Sequence, residues 1–574
     1  MSGAKDGHAG AHDPAHDTRR SGAFAAWRRL YAGAGLAFAC IGLVPTQVLA
    51  EWFTHEARRA AAGGVPPTTL QGAQLLRIGA PMAGLAFAAL CLWGDRIWRG
   101  RPQLPGPPAV ARRELHLVLL ACLLALLVRV PLMTQSLWYD EIAAYLGYGV
   151  HGPGVAVGNY YTQANHVFQS LLTSVVTGVL GANEFTLRLP SLVIGLVGIV
   201  AAWFLGREAA GPRTGIAMAF VTALMPIAAL ESAEARGYAF MAYYATLATA
   251  TLLWAKRTRG GVAWAEYALV VALGCWSHLV TACVPACHAL WLLWLAARGG
   301  EAQRRDAGGG LLALGVAGLL VLAMYAPVLP DMASIRREFL AADGNEPTLW
   351  SPEGLLMLWM LGGTWTWWAS AAALPLAAAG VAAAWREPGL RRALLLSAGG
   401  AVVALAFPLV LHSWLYARFL VFLLPAVALA IGAGCVWLAA RRRGAATLLA
   451  GVAALAWTGS LAVLPPRQPL REAIAHVAQM RAPGEEAIAI GLPDDVHAWY
   501  STIYGLDMPG SGPYGRDLEA RLRERHPKWA VMLYPRAMPP EVEARLRAAG
   551  FEPDLTLPGW IDSGGGEVVV WRRR

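Results

Sequence analysis

The sequence predicts an α-helical polytopic membrane protein with a small C-terminal α/β extramembrane domain. Three observations predict it. The 574 residues are 56% hydrophobic and only 15% charged, with a mean hydropathy of +0.45. Apolar runs long enough to cross a bilayer recur from residue 30 to about residue 464. After Pro465-Pro466 the charge content rises, and short β-type runs alternate with helical patterns.

The formal charge of +10 does not point to nucleic acid, because the arginines mostly form short clusters between apolar runs, as cytoplasmic loops require. The charge therefore reads as topology. All seven cysteines (Cys40, Cys91, Cys122, Cys275, Cys283, Cys287, Cys435) lie in hydrophobic segments, which leaves no exported disulfide framework and no CxxC pair for zinc.

Residues 1–25 read as a disordered cytoplasmic tail of Gly, Ala, His and Asp, in which His8, His12 and His16 are incidental or metal-binding. No cleaved signal follows Arg19-Arg20. Residues 26–114 hold two additional N-terminal spans, about 30–50 and 75–94, and an arginine-rich cytoplasmic loop. Residues 115–465 hold the remaining spans, at about 115–133, 187–204, 215–230, 238–254, 264–280, 283–297, 311–328, 369–385, 393–411, 419–440 and 445–464. That gives about 13 transmembrane helices. The apolar piece 166–180 is short and interleaved with Gln169, Ser170, Thr173, Ser174 and Thr177, which suits an interfacial helix better than a span. Arg129, in the last turn before the first large outer loop, either snorkels or faces a phosphate. Residues 466–574 form an outer, periplasmic α/β domain of about 110 residues, large enough for its own core.

With that alternation, four polar stretches fall on one face: Trp138-Tyr139-Asp140-Glu141, Glu231 to Tyr238, Ser277-His278, and His412 to Phe419. A carboxylate is costly in hydrocarbon, so Asp140 and Glu141 belong at or above the interface. Asp140 reads either as a reacting carboxylate or as the N-cap of a helix starting at Glu141. Arg236 and Arg418 lie on the outer side, against the charge rule, as do Arg336 and Arg337. They read as oxyanion ligands or as snorkelling span ends. His166 and His278 bind a metal or phosphate, or are satisfied by backbone. Glu234 pairs with Arg236 or with neighbours of Asp140, or touches substrate. Tyr238 and Tyr416 read as aromatic-belt residues, and Trp359, Trp365, Trp367 and Trp368 as interface anchors or a stacking platform.

These stretches resemble, in order, the motifs of the GT-C class polytopic glycosyltransferases. The similar branch is that of the protein O-mannosyltransferases and the enzyme that adds aminoarabinose to lipid A. Asp140-Glu141 matches the acidic pair of the first outer loop. Asn165-His166 matches the Asn-His that the family follows with Pro, where this chain has Val167. Arg188-Leu189-Pro190-Ser191 matches Arg-Leu-Pro-Ser. Glu234-Ala235-Arg236-Gly237-Tyr238 resembles Glu-Ala-Arg-Pro-Tyr, with Gly for Pro. Ser277-His278 resembles Thr-His, and Arg418-Phe419 with Pro425 resembles Arg-Tyr before a later Pro. The resemblance covers roughly residues 115–570.

It implies a GT-C fold and an inverting glycosyltransferase whose donor is a sugar on polyprenyl phosphate. The acceptor is a lipid, a glycan or a protein outside a bacterial inner membrane. Asp140 and Glu141 become the catalytic pair, with Asp140 the base and Glu141 turned toward a structural partner or a metal. Arg236 and Arg418, and more weakly Arg336 and Arg337, become ligands of the donor phosphate. Asn165, His166, Glu234, Tyr238, His278 and Tyr416 line the substrate site. A divalent metal is left open, and nucleic acid is not a partner. Two rival classes stay in view. A lipid-linked glycan flippase or transporter would carry its polar groups near the midplane. A surface-polysaccharide polymerase or ligase would share the outward site and the lipid-linked donor.

Overall fold

A computed structural model describes residues 14–98, 103–162, 164–341, 367–411, 417–491, 495–561 and 565–574. In hydrocarbon a backbone has no water to bond, so crossing segments must be helical. Each stretch read as a span contains helix. Among the described residues eight helices are long and apolar enough to cross a bilayer, and ten if each of two bent pairs counts as one span.

Both bends correct the straight spans read from the sequence. The first helix begins at Pro14, inside the stretch read as tail, and the chain turns by 100° between Leu43 and Thr46, at Pro45. Pro212–Leu224 and Pro226–Ser232 meet at 63°. Pro226 has no N–H for the Thr222 carbonyl, so the helix cannot run through it. Arg129 supplies the missing donors: Nη1 bonds the Ala223 carbonyl at 2.7 Å and Nη2 the Thr222 carbonyl at 3.3 Å. Arg129 thus neither snorkels nor faces the site. It is fully buried at the last turn of α1 (Arg112–Arg129) as the C-terminal partner of a broken helix.

The acidic pair lies in the first turn of a short helix, α2 (Tyr139–Gly147). The segment after it, α3 (Val167–Leu180), is amphipathic with its polar side inward. Gln169, Ser170, Thr173, Ser174 and Thr177 are buried, while Val179 is 78% exposed. The buried side lies against α4 (Glu184–Ala210), where the Thr173 hydroxyl donates to the Leu187 carbonyl at 3.2 Å. At the centre stands α5 (Tyr238–Thr258). It is built from small residues and from threonines whose hydroxyls return to carbonyls four residues back, at 2.7 Å for Thr246 and Thr251. Such a helix is less apolar than its lipid-facing neighbours because it has helices on every side. Close approach elsewhere also depends on missing side chains. Helix α6 (Leu424–Ala439) crosses Trp367–Arg386 where a Cβ on Gly434 would stand 1.8 Å from the Leu376 carbonyl oxygen.

The C-terminal domain is a five-stranded sheet in the order β2-β1-β3-β5-β4, made of β1 (Ala487–Gly491), β2 (Gly510–Pro513), β3 (Trp529–Leu533), β4 (Phe551–Leu557) and β5 (Val568–Arg573). The first three strands are parallel, and β5 runs antiparallel between β3 and β4. Strand β3 is apolar and buried throughout, as expected of a strand covered on both faces. Helix α7 (Leu470–Met480) lays Leu470, Ala473, Ile474 and Val477 on the sheet, a single stripe at helical spacing.

The domain sits on the end of the helical bundle that carries α2. Leu137, Trp138, Tyr139, Ile142 and Tyr145 belong to the same buried apolar cluster as the sheet. Two backbone donors at the start of α2 are satisfied from the domain. Leu137 N–H bonds the Tyr500 hydroxyl at 2.8 Å, and Tyr139 N–H bonds Gln468 Oε1 at 3.0 Å. Tyr500→Phe strands the buried Leu137 donor and removes the hydroxyl's contact with Glu184. It should therefore cost about 1–3 kcal/mol, read as a lower melting temperature of the detergent-solubilised protein. An unchanged melting temperature would mean that the domain does not hold the loop.

Candidate active site

Three layers of side chains stack at the junction of bundle and domain. The deepest is an ion pair. Arg188 of α4 meets Glu141 with Nε at 2.8 Å from Oε1 and Nη2 at 2.7 Å from Oε2. Its remaining N–H groups bond the carbonyls of Leu132, Met133, Gln135 and Ser136. Glu141 also accepts from Trp138 N–H at 3.2 Å and Ala235 N–H at 2.6 Å. Glu141 is thus fully engaged below the site. Trp138, not Asp140, is the N-cap residue, which overturns the capping reading of Asp140.

Beside this pair Arg467, in the linker to the domain, bonds Glu234 and reaches Glu231 at 3.2 Å. Its guanidinium stacks between Trp138 (4.9 Å) and Trp560 (4.5 Å). The partner of Glu234 is therefore Arg467, not Arg236. Arg467 is not among the residues singled out from the sequence, although the alternation of spans read there puts it on the same side as Arg236. Nor is Arg188 singled out as a site-shaping residue, despite the matching motif.

The upper layer holds Asp140, Arg236 and Arg418. Asp140 Oδ2 stands 3.7 Å from Arg236 Nη2 and 3.6 Å from Arg418 Nη2, beyond direct hydrogen bonds, and the Asp140 side chain is 19% exposed. Arg236 Nη1 bonds the carbonyls of Ala164 (2.5 Å) and Asp140 (3.2 Å), while its Nε has no hydrogen-bond partner among the described residues. His166 lies beneath, with its ring against Tyr238 (centroids 5.1 Å apart) and His278 (4.9 Å). Burial, and then the charges of Arg236 and Arg418, push His278 down to about 3 and His166 well below its ordinary value. Both imidazoles are neutral.

Two of the chain's departures from the pattern it resembles, Val167 and Gly237, have local reasons. Val167 is the first residue of α3, where Pro is welcome and not required. Gly237 donates its N–H to His166 Nδ1 at 2.6 Å, which a proline cannot do, and a Cβ there would stand 2.5 Å from that nitrogen. His166 Nε2 meanwhile faces Arg236 Nη2 at 3.1 Å. A neutral imidazole has one acceptor nitrogen, so one of these two contacts sets a donor against a donor.

Asn165 shapes the loop, bonding the carbonyls of Ala156 (3.0 Å) and Asn159 (2.8 Å). The loop is also tied to the N-terminal helices. Arg58 grips Asp331 at 2.7 and 2.8 Å and reaches Asn159 Oδ1 at 2.7 Å. The side chains of Arg336 and Arg337, all of Tyr416, and the tryptophans at 359 and 365 lie outside the described residues, as do the side chains of Trp367 and Trp368. Among the described residues no three His, Cys, Asp or Glu side chains converge as metal ligands.

Among the described residues three buried carboxylates (Glu141, Glu231, Glu234) crowd around two guanidiniums (Arg188, Arg467). Burial, followed by the charges of Glu231 and Glu141 and against that of Arg467, raises the Glu234 carboxyl from 4.5 to about 8. The neutral form is the one the fold favours, so the stability it contributes is complete below the unfolded value and is lost as pH climbs toward about 8. The melting temperature should therefore fall between about pH 5 and 8, and Glu234→Gln should flatten that fall. An equal fall in both proteins would place the proton elsewhere.

Residues 167–330 match the family model for dolichyl-phosphate-mannose-protein mannosyltransferase. No curated protein sequence matches the chain significantly. Among solved structures the chain is similar to the archaeal oligosaccharyltransferase AglB from Archaeoglobus fulgidus, in complex with an inhibitory peptide and a dolichol-phosphate. The identity is 13%, over 76% of this chain and 70% of that one, with a TM-score of 0.50. It is also similar to ArnT from Cupriavidus metallidurans bound to undecaprenyl phosphate, at 15% identity over 81% of this chain and 98% of that one, with a TM-score of 0.49. At such identities the likeness to solved structures is one of fold. The chain is thus a polytopic membrane protein with the GT-C fold, similar over residues 167–330 to the dolichyl-phosphate-mannose-protein mannosyltransferases.

Proposed function

We propose that this protein transfers a sugar from a polyprenyl-phosphate donor to an acceptor, with inversion, at the bundle end covered by the C-terminal domain. The observation that carries the reading is the Asp140 carboxylate standing between two guanidiniums at 3.6 and 3.7 Å without bonding either. Two guanidiniums converging on this carboxylate beside buried histidines make an environment suited to a phosphate. The unpartnered Nε of Arg236 and the donor-facing-donor contact at His166 support the same reading, since an anion would use the first and relieve the second. The dolichol-phosphate in AglB and the dolichyl-phosphate-mannose donors named by the matched family are carriers of the proposed kind.

In this reading an acceptor hydroxyl attacks the anomeric carbon from the side opposite the phosphate. The bond from that carbon to the phosphate oxygen breaks, Asp140 takes the hydroxyl proton, and Arg236 and Arg418 stabilise the charge gathering on the leaving phosphate. An acceptor that is itself a phosphate needs no base, and Asp140 then orients it. Glu141, Arg188, Glu234 and Arg467 hold the two loops in place. His166, Tyr238 and His278 floor the site, and Asn165 shapes its loop. Arginine clusters in the intervening loops support a cytoplasmic N-terminus and a periplasmic site in a bacterial inner membrane.

The test is release of free polyprenyl phosphate from a panel of polyprenyl-phosphate sugars by the detergent-purified protein, read by mass spectrometry. Asp140→Asn should lose about 10²–10⁴-fold in release while keeping its melting temperature. Release at the wild-type rate in that variant would sink the assignment of Asp140. Chelator treatment of the same preparation decides metal dependence.

A further inference from the structure

The C-terminal domain has a polar edge that the transfer chemistry does not use. Its parallel strands β1, β2 and β3 end together, and the chain passes from β1 to β2 on one side and then crosses to β3 on the other. In open sheets with helical crossovers, the carboxyl ends at such a reversal are where ligands sit. A cavity of about 10 Å³ lies there, lined by Gly491, Asp495, His497, Ser511, Gly512 and Leu533. It has room for one hydroxyl oxygen.

Ser511 is 1% exposed, yet its hydroxyl has no hydrogen-bond partner among the described residues. The cavity thus lacks one polar atom. His497 is buried too, held by the Met508 backbone, and burial keeps its imidazole below the ordinary value and uncharged. Among the described lining residues the charged group is a carboxylate, the exposed Asp495, and Asp517, which a Cβ on Gly512 would meet, is paired with Arg516. An anion is therefore disfavoured.

Two tyrosines frame this edge, each directly beyond a parallel strand and each with φ at +52°. Tyr534, after β3, lies edge-on against Tyr139, the neighbour of Asp140, with centroids 5.6 Å apart. Tyr514, after β2, is 45% exposed and is held by its N–H on the Gly491 carbonyl at 2.9 Å. Left-handed backbone is unfavourable for tyrosine and is tolerated where a side chain must be aimed. An exposed tyrosine whose backbone is tied to Gly491 in the wall of a hydroxyl-sized polar cavity, with the Asp495 carboxylate at its mouth, matches the C–H face and hydroxyls of an uncharged sugar.

We propose that this pocket binds a neutral saccharide unit of the acceptor, with one sugar hydroxyl on Ser511 and the ring on Tyr514, while the acceptor's reacting end lies beyond Tyr534 at Asp140. That the saccharide belongs to an acceptor rests on the transferase reading; that the pocket binds a saccharide does not. The test is saturation-transfer NMR on the full-length protein in nanodiscs, with methyl α-mannoside, methyl β-glucoside, methyl α-arabinofuranoside and inorganic phosphate as probes. At least one glycoside should bind, unaffected by phosphate. Ser511→Ala and Tyr514→Gly should each weaken it about fivefold or more, while Asp140→Asn should not. Glycine adopts the backbone of Tyr514 at no cost, so that variant removes the ring and leaves the fold. No glycoside signal in the wild type, or an unchanged signal in either pocket variant, overturns the proposal. Asp140-dependent donor release alongside that result would leave the transferase standing without the pocket. Glycoside binding that both pocket variants weaken, in protein that releases no donor, would keep the pocket and discard the transferase.

Discussion

The buried pair of Glu141 and Arg188 is the interaction on which the rest of the site depends. A charge taken out of water persists only if its partners replace the water completely. Here both carboxylate oxygens and every guanidinium N–H direction are used, on two side chains, two backbone N–H groups and four carbonyls. Those carbonyls belong to the chain entering α2, and one of the N–H groups, that of Ala235, belongs to the loop carrying Arg236. One ion pair therefore fixes two loops against each other. The aim of Asp140 at Arg236 follows from it.

Charge is sorted by depth. The lower layers gather three carboxylates and two arginines among the described residues, and burial there favours the protonated form of Glu234. In the upper layer Arg236 and Arg418 converge on the part-exposed Asp140, beside histidines that burial keeps uncharged. Arg467 lies between the layers, stacked on Trp138, and comes from the linker to the sheet domain. The domain is thus a structural part of the site as well as its cover, which explains why its core and the apolar face of α2 form one buried cluster.

Much of this was legible in the chain because membrane burial constrains sequence harshly. Polar groups that interrupt apolar runs at their ends must have partners or a task, so Asp140, Arg236, His278 and Arg418 could be singled out from position alone. Glu234 could be singled out too, but not paired, since a carboxylate two residues from an arginine looks like its partner. The linker to the sheet domain lends Arg467 to it from more than two hundred positions away. Asp140 likewise looked like a cap until the helix was seen to start two residues earlier, at Tyr139. Arg129 illustrates the same limit. Its burial made sense only once Pro226 had broken a helix it touches across nearly a hundred residues.

The sequence by itself determined the class of the molecule: a helical bundle in a bilayer, an appended α/β domain, and a set of polar motifs gathered at one end. Hydropathy, proline and charge placement are local quantities, and the bilayer converts them into architecture with few alternatives. Only the tertiary structure decided which charge answers which. It sent Glu141 down to Arg188, gave Glu234 to Arg467, stood Asp140 off two guanidiniums, and left Ser511 unpartnered beside an exposed tyrosine. Those outcomes rest on ångström-scale distances between segments far apart in the chain, and a buried charge or hydroxyl is stabilised by what lies within about 3 Å of it, not by its neighbours in sequence.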